Sequence, residues 1–225
     1  MNRDWKSSFD EFKDLAMSAN VTLSKAPAQI FNGAFATTTS VNGVKITIYN
    51  DGKPLASTIH PRVDGGATQS NASNTGIPLT ENNLETQRVA LLEQLQDDGV
   101  PMSMAGELIL VVPTALDKNA RIITGSELRS NTANNDVNIY SGGAVGVMSS
   151  HWLGAANSGS DTAWFLVSPS TSRLKLVKRA GPDLDQSVDK NTKSTLFDVI
   201  LDLSVGSASW LATFGSQGDN SAYSS

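Results

Sequence analysis

Trp5, Phe9, Phe12 and Leu15 or Ala16 recur at the spacing of one helix face, which predicts an amphipathic helix over the first segment. A second short helix is predicted after Ser24, with Pro27 in its first turn, carrying Ile30 and Phe31 to Asn32-Gly33. Together they read as one long helical element broken near the proline. From Phe35 to Pro78 apolar positions thin out and Gly, Asn, Ser and Thr take over. One strand is expected there, Val44 to Tyr49, running into Asn50-Asp51-Gly52, a turn signal because Asn and Gly tolerate positive φ. Asp64 to Gly76 is expected to be a long surface loop.

Thr80 then opens a helix. Leu79 and Leu84 occupy the two positions of a hydrophobic staple around that N-cap, and Leu84, Leu91, Leu92 and Leu95 fall on one face. Asp98-Gly99 followed by Pro101 is the expected stop. Leu108 to Val112 is an unbroken apolar run, the mark of a strand covered on both faces. Pro113 ends it, and Thr114 begins a helix bearing Leu116, Ala120 and Ile123 that Gly125 closes. Beyond it short strands are predicted at Val145 to Met148, Trp164 to Val167 and Leu174 to Lys178. A longer one puts Phe197, Val199, Leu201, Leu203 and Val205 on one face, with Asp198, Ile200, Asp202 and Ser204 on the other. Trp210, Ala212 and Phe214 are expected to pair back on it across Gly206-Ser207. Helices early and a β layer at the end make the expected class α+β.

Composition sharpens this picture. The 225 residues are 39% hydrophobic, enough for one large domain or two small ones on a shared core. Only 17% are charged, and neutral Ser, Thr and Asn fill the polar positions. Such a surface suits a protein covered by neighbours, although secreted or halotolerant proteins share the trait. A net charge of −5 argues against a phosphate-gripping surface; the best basic stretch, Arg173, Lys175, Lys178 and Arg179, is short. With no cysteine, disulfides and thiolate chemistry are excluded, in keeping with a reducing cytoplasm. Met1 to Lys6 lacks an apolar signal core, and no window approaches the roughly 20 apolar residues a membrane span needs.

Reactive constellations are sparse. His60 precedes Pro61 in a predicted loop, and His151 precedes Trp152 at a strand end; neither has a second histidine at metal-ligand spacing. Ser149 and Ser150 adjoin His151 without the Gly-x-Ser-x-Gly elbow of a hydrolase. Gly142, Gly143 and Gly146 lack the Lys-Ser/Thr ending of a phosphate loop. Asp183, Asp185, Ser187 and Asp189 alternate like calcium-loop ligands, but Val188 replaces the pivotal glycine and Ser194 the closing Glu. Asp97-Asp98 is accounted for by the helix end. No catalytic, cofactor-binding or metal-binding residue is therefore assigned, and no enzyme activity is expected.

The run Asp98-Gly99, Leu108-Ile109-Leu110-Val111-Val112-Pro113-Thr114-Ala115-Leu116 and Ala120-Arg121-Ile122-Ile123 resembles the major capsid proteins of tailed bacteriophages. Phe31-Asn32-Gly33-Ala34-Phe35 is similar to that family's FN-x-AF helix end. Asp51-Gly52-Lys53-Pro54-Leu55, Ser57-Thr58, His60-Pro61 and Ser70-Asn71 resemble its DG-x-x-L, ST-x-HP and SN stretch. Leu79 with Asn83-Leu84-Glu85, Asp136-Val137-Asn138, Trp164-Phe165-Leu166 and Arg179 to Pro182 follow in order, so the likeness runs from Phe31 to Gly215. It implies the phage shell fold shared with encapsulins, an axial domain joined to a peripheral domain with a spine helix and long strands. The implied division is 1–75 peripheral, 76–167 axial and 168–225 peripheral. Relatives carry an N-terminal arm and an extended loop before the spine helix, whereas Met1 to Asn20 already looks like that helix. The expectation is a partial chain, or another polypeptide supplying both pieces.

The resemblance implies a structural subunit forming hexamers and pentamers of an icosahedral head. Expected partners are identical subunits, decoration, scaffold or portal proteins, and packaged double-stranded DNA held without sequence preference. The virion is the expected location, after assembly in the host bacterial cytoplasm, with no membrane and no cofactor. The rival readings are an encapsulin-like shell and a hydrolase using His151 with Ser149 or Ser150.

Overall fold

The computed structural model describes residues 5–220 apart from 42, 50, 103, 105–106, 129–136 and 193–194. The described residues are mixed α+β, as expected, with helices α1 (Trp5–Asn32), α2 (Glu81–Leu92) and α3 (Thr114–Gly125). The strands are β1 (Thr38–Val41), β2 (Val44–Thr47), β3 (Leu108–Pro113), β4 (Val145–Ser150), β5 (Trp164–Val167), β6 (Leu174–Val188), β7 (Thr195–Ser207) and β8 (Thr213–Ser216).

The expected break in the first helix does not occur. Pro27 lies inside a continuous α1, where it removes one backbone donor. The flanking Ala26, Ala28 and Ile30 are buried, and their packing outweighs that lost bond. The Val44 strand is shorter than expected, ending at Thr47, and pairs with β1, which the sequence pattern did not suggest. Gly43, at φ 83°, makes the two-residue connection. Of the Asn50-Asp51-Gly52 turn, Gly52 has the expected positive φ of 79°, whereas Asn50 lies outside the described residues.

Helix α2 begins as the sequence requires, with the Thr80 side chain accepting from the Asn83 amide at 3.2 Å. It stops at Leu92, earlier than Asp98-Gly99, because the chain folds back so that Gln96 and Val100 close a turn on Gly99 at φ 80°. Leu84 and Leu91 are buried as expected, whereas Leu92 is 38% exposed and off the core face. The β3–α3 unit forms as read, and β4 follows in parallel pairing with β3. On the other side of β3, β5 and then β8 add antiparallel, giving the order β4-β3-β5-β8.

The sheet separates two apolar layers. Leu108, Leu110, Val112, Trp164, Leu166 and Phe214 pack with Leu84, Leu91 and Ala120 of α2 and α3. Val111, Phe165 and Val167 face the opposite way, toward Ile30, Ile48, Leu153 and Trp210. That explains the uninterrupted apolar run of β3: alternate residues point to different cores.

The C-terminal pairing differs from expectation. The segment at 213–216 hydrogen-bonds to β5, and β7 pairs with β6 along nearly its whole length. β6 also runs ten residues beyond Lys178. Register shifts between Lys178 and Asp183 let it pass Gly181-Pro182, where proline has no amide to give the ladder.

Candidate assembly surfaces

Three polar residues separated along the chain meet in the second core. His60 lies in irregular chain, as expected, and is fully buried there, with Nδ1 2.6 Å from Asp51 Oδ2 and Nε2 3.1 Å from Asn71 Oδ1. The orientation of the Asn71 amide follows from its other partners. Its oxygen accepts from the Ser57 amide at 2.8 Å, and its nitrogen donates to the Leu55 carbonyl at 2.7 Å. Both ring nitrogens of His60 thus face acceptors. The ring lies 4.3 Å from that of Trp210 and nearly parallel to it, at 3°. Asn71 and Ala72 are buried too, so the expected surface loop from Asp64 to Gly76 is interrupted: it is exposed at 64–68, 70 and 74–75 and buried at 71–72 and 76.

A second polar cluster fixes α2 to the turn before β4. Glu85 accepts both guanidinium bonds of Arg88 at 2.9 Å and the hydroxyl of Tyr140. These bonds, Arg88 first, hold the Glu85 carboxyl down at about 2, while burial first and then Glu85 push the Tyr140 phenol up. Asn138 of the expected Asp136-Val137-Asn138 feature donates to the Ile123 carbonyl at 2.7 Å, closing the end of α3; Asp136 lies outside the described residues. Asn32, from the Phe31-Asn32-Gly33 feature, donates to the Trp152 carbonyl at 3.0 Å and ties the end of α1 to the turn after β4.

The β6–β7 pair is a long two-stranded ribbon, and α1 packs along one face of it, with the Phe12 and Phe197 rings 5.0 Å apart. The expected apolar row of β7 is on that face, yet only Val205 of its five members is buried. The opposite face carries Val177, Leu196 and Ile200, which are 58%, 47% and 59% exposed. Among the described residues, no further strand pairs with either outer edge of the ribbon. Long unpaired edges and exposed aliphatic side chains are what a free monomer avoids and a subunit covers on association.

The residues weighed for chemistry are dispersed. The Ser149 hydroxyl bonds Asp117, which Arg121 first and then Ser149 hold below the usual carboxylate range. Ser150 accepts from the Trp152 amide at 3.3 Å, and the His151 ring lies 4.2 Å from that of Trp152. These three side chains therefore do not form a nucleophile–base pair among the described residues. Gly143, at φ 83°, serves the turn into β4, with Gly142 beside it and Gly146 within the strand. Asp183, Asp185 and Ser187 alternate along β6 instead of curling into a loop, and Ser194 lies outside the described residues. Arg173, Lys175, Lys178 and Arg179 lie at the root of the ribbon, where Arg179 pairs with Asp202.

The conspicuous features are thus surfaces, not a reaction centre: an outward ribbon, open strand edges and a helix laid along them. No curated protein matches the chain. The family model described as "Phage capsid protein" matches residues 3–212, almost the whole chain: this protein belongs to the phage capsid protein family and is a structural component of the virion.

Proposed function

We propose that this chain is the major capsid subunit of a tailed double-stranded DNA phage, and that its copies associate as hexamers and pentamers in an icosahedral head. The family match over residues 3–212 carries the reading, and the half-covered ribbon is the physical counterpart, since its exposed apolar residues gain most from neighbours. In this reading α1 is the spine helix and residues 76–167 form the axial domain. Residues 1–75 and 168–225 form the peripheral domain, with β8 returning to the edge of the axial sheet. Packaged DNA is contacted weakly and without sequence preference, since the net charge of −5 leaves no extended basic surface to grip phosphates. Assembly takes place in the host cytoplasm, with scaffold, portal or decoration proteins as further partners.

Negative-stain microscopy of native particles and of the expressed chain tests this. Uniform round shells containing this polypeptide and double-stranded DNA are expected. Shells loaded with protein cargo would favour the encapsulin-like alternative, and a chain that stays monomeric in its native particle preparation would refute the reading.

A further inference from the structure

The outward face of the β6–β7 ribbon is divided by charge. In the distal half, Asp185 stands directly across from Asp198, and Asp183 is opposite Ile200. All three carboxylates are exposed, and among the described residues no cation lies within ion-pair distance of them. Like charges directly opposed across a ladder oppose the pairing of the strands that carry them. Leu196 and Ile200, 47% and 59% exposed, lie on the same face on either side of Asp198. At the root of the ribbon, Lys175 is on this face opposite Gly206, and exposed Arg173 precedes it. A groove of about 320 Å³ opens there, lined by Lys175, Val177, Ser204, Gly206, Tyr49 and Thr47.

The acidic-apolar patch and the basic groove cannot meet within one chain. Eight residues separate Asp198 from Gly206, which along a strand is roughly 27 Å. They can meet between two chains. We propose that the distal patch of one copy, Asp183, Asp185 and Asp198 with Leu196 and Ile200, docks against Arg173, Lys175 and Val177 at the ribbon root of a neighbouring copy. This rests on the capsid-subunit reading and specifies which surfaces join the copies. The contact is head to tail, the type that closes into rings when the rotation between copies permits. The opposed aspartates become favourable once a neighbour's cations face them, which ties the charge pattern to association.

The test uses the full chain with two charge reversals, Asp185→Lys with Asp198→Lys, and Arg173→Asp with Lys175→Asp. Each pair alone should cut the yield of sedimenting particles about tenfold or more at physiological salt. Both pairs in one chain should restore particles, because every distal patch then meets an opposite charge. Asp198→Lys alone should leave the thermal midpoint of the unassembled subunit unchanged or raised, since it turns a repelling cross-strand pair into an attracting one, while still lowering particle yield. If the wild type assembles and both reversed variants assemble equally well, the docking is overturned and the capsid reading stands. If each reversal abolishes particles but the combined chain does not recover them, the patches do not contact each other and the docking is again overturned. A wild-type chain that forms no multi-copy particle removes the capsid-subunit reading and this contact with it.

Discussion

Replacing Asn71 with alanine should be among the most damaging single changes in the chain, although the residue lies in a stretch without regular secondary structure. Asn71 is 2% exposed and holds three buried groups: the Ser57 amide at 2.8 Å, His60 Nε2 at 3.1 Å and the Leu55 carbonyl at 2.7 Å. Asn71→Ala strands two donors and one acceptor. Each stranded buried polar group costs about 1–3 kcal/mol, and water entering the vacated space recovers part of it. The expected loss is about 3–5 kcal/mol, a large share of the roughly 5–15 kcal/mol typical of a domain. Urea unfolding of the purified subunit, followed by tryptophan fluorescence, should show a large fall in midpoint with little change in slope. Asn83→Ala is the control: its amide donates to the Pro78 carbonyl at 2.9 Å in an exposed place, and its loss should cost under about 1 kcal/mol. Asn71→Asp separates the contributions, because it keeps an acceptor for Ser57 and His60 but turns a carboxylate oxygen toward the Leu55 carbonyl. It should fall between wild type and alanine. An Asn71→Ala midpoint as close to wild type as that of Asn83→Ala would refute the reasoning.

Glu85 is held at about 2 against an ordinary value of 4.5, so its contribution is complete above pH 4.5 and is lost as pH falls toward 2; Glu85→Gln should flatten the acid limb of a stability–pH profile there. Because the Glu85 side chain is 38% exposed, solvent screening limits that difference to about 1 kcal/mol. Gly159→Ala would drive a methyl group into the Leu153 carbonyl and the Asn32 side chain, and should cost about 1–3 kcal/mol in thermal unfolding. Leu201→Asp, on the half-covered face toward α1, should cost about 2 kcal/mol, whereas Asp202→Ala, whose partner Arg179 is 85% exposed, should cost under about 1 kcal/mol; the reverse order in thermal midpoints would mean that the ribbon register is wrong.

Local patterning carried much of the fold. The Thr80 cap with its leucine staple, the two-faced β3 and the helix from Thr114 to Gly125 each depend on residues close in sequence, and each forms where the pattern puts it. The pairing of β8 with β5 was not legible, because Trp210, Ala212 and Phe214 alternate equally well for any partner strand. Beyond Lys178 the extent of β6 was hidden by Gly181-Pro182 and the aspartates, which end most strands; here a bulge and a solvent-facing side absorb them. Pro27 misled in the opposite sense, because a buried helix face tolerates one lost bond.

The buried polar cluster was the hardest feature to read, and it bears most directly on function. Asp51, His60 and Asn71 all belong to the stretch that resembles phage capsid proteins, yet each alone looks like a loop residue, and only folding brings them together. Their position explains why such a stretch can be polar and still specific. His60 stacks on Trp210, three residues past the end of β7 at Ser207, and the Ser207 amide donates to the Ile48 carbonyl at 2.9 Å. The root of the ribbon is thereby anchored by a hydrogen-bonded network, whereas the ribbon beyond it packs against α1, where Phe12 meets Phe197. A network with named partners permits one arrangement, where an apolar contact alone would permit several. The least regular segment of the chain thus sets the direction in which the ribbon leaves the body. For a protein whose work is to meet copies of itself at fixed angles, that direction matters as much as the chemistry at the ribbon surface.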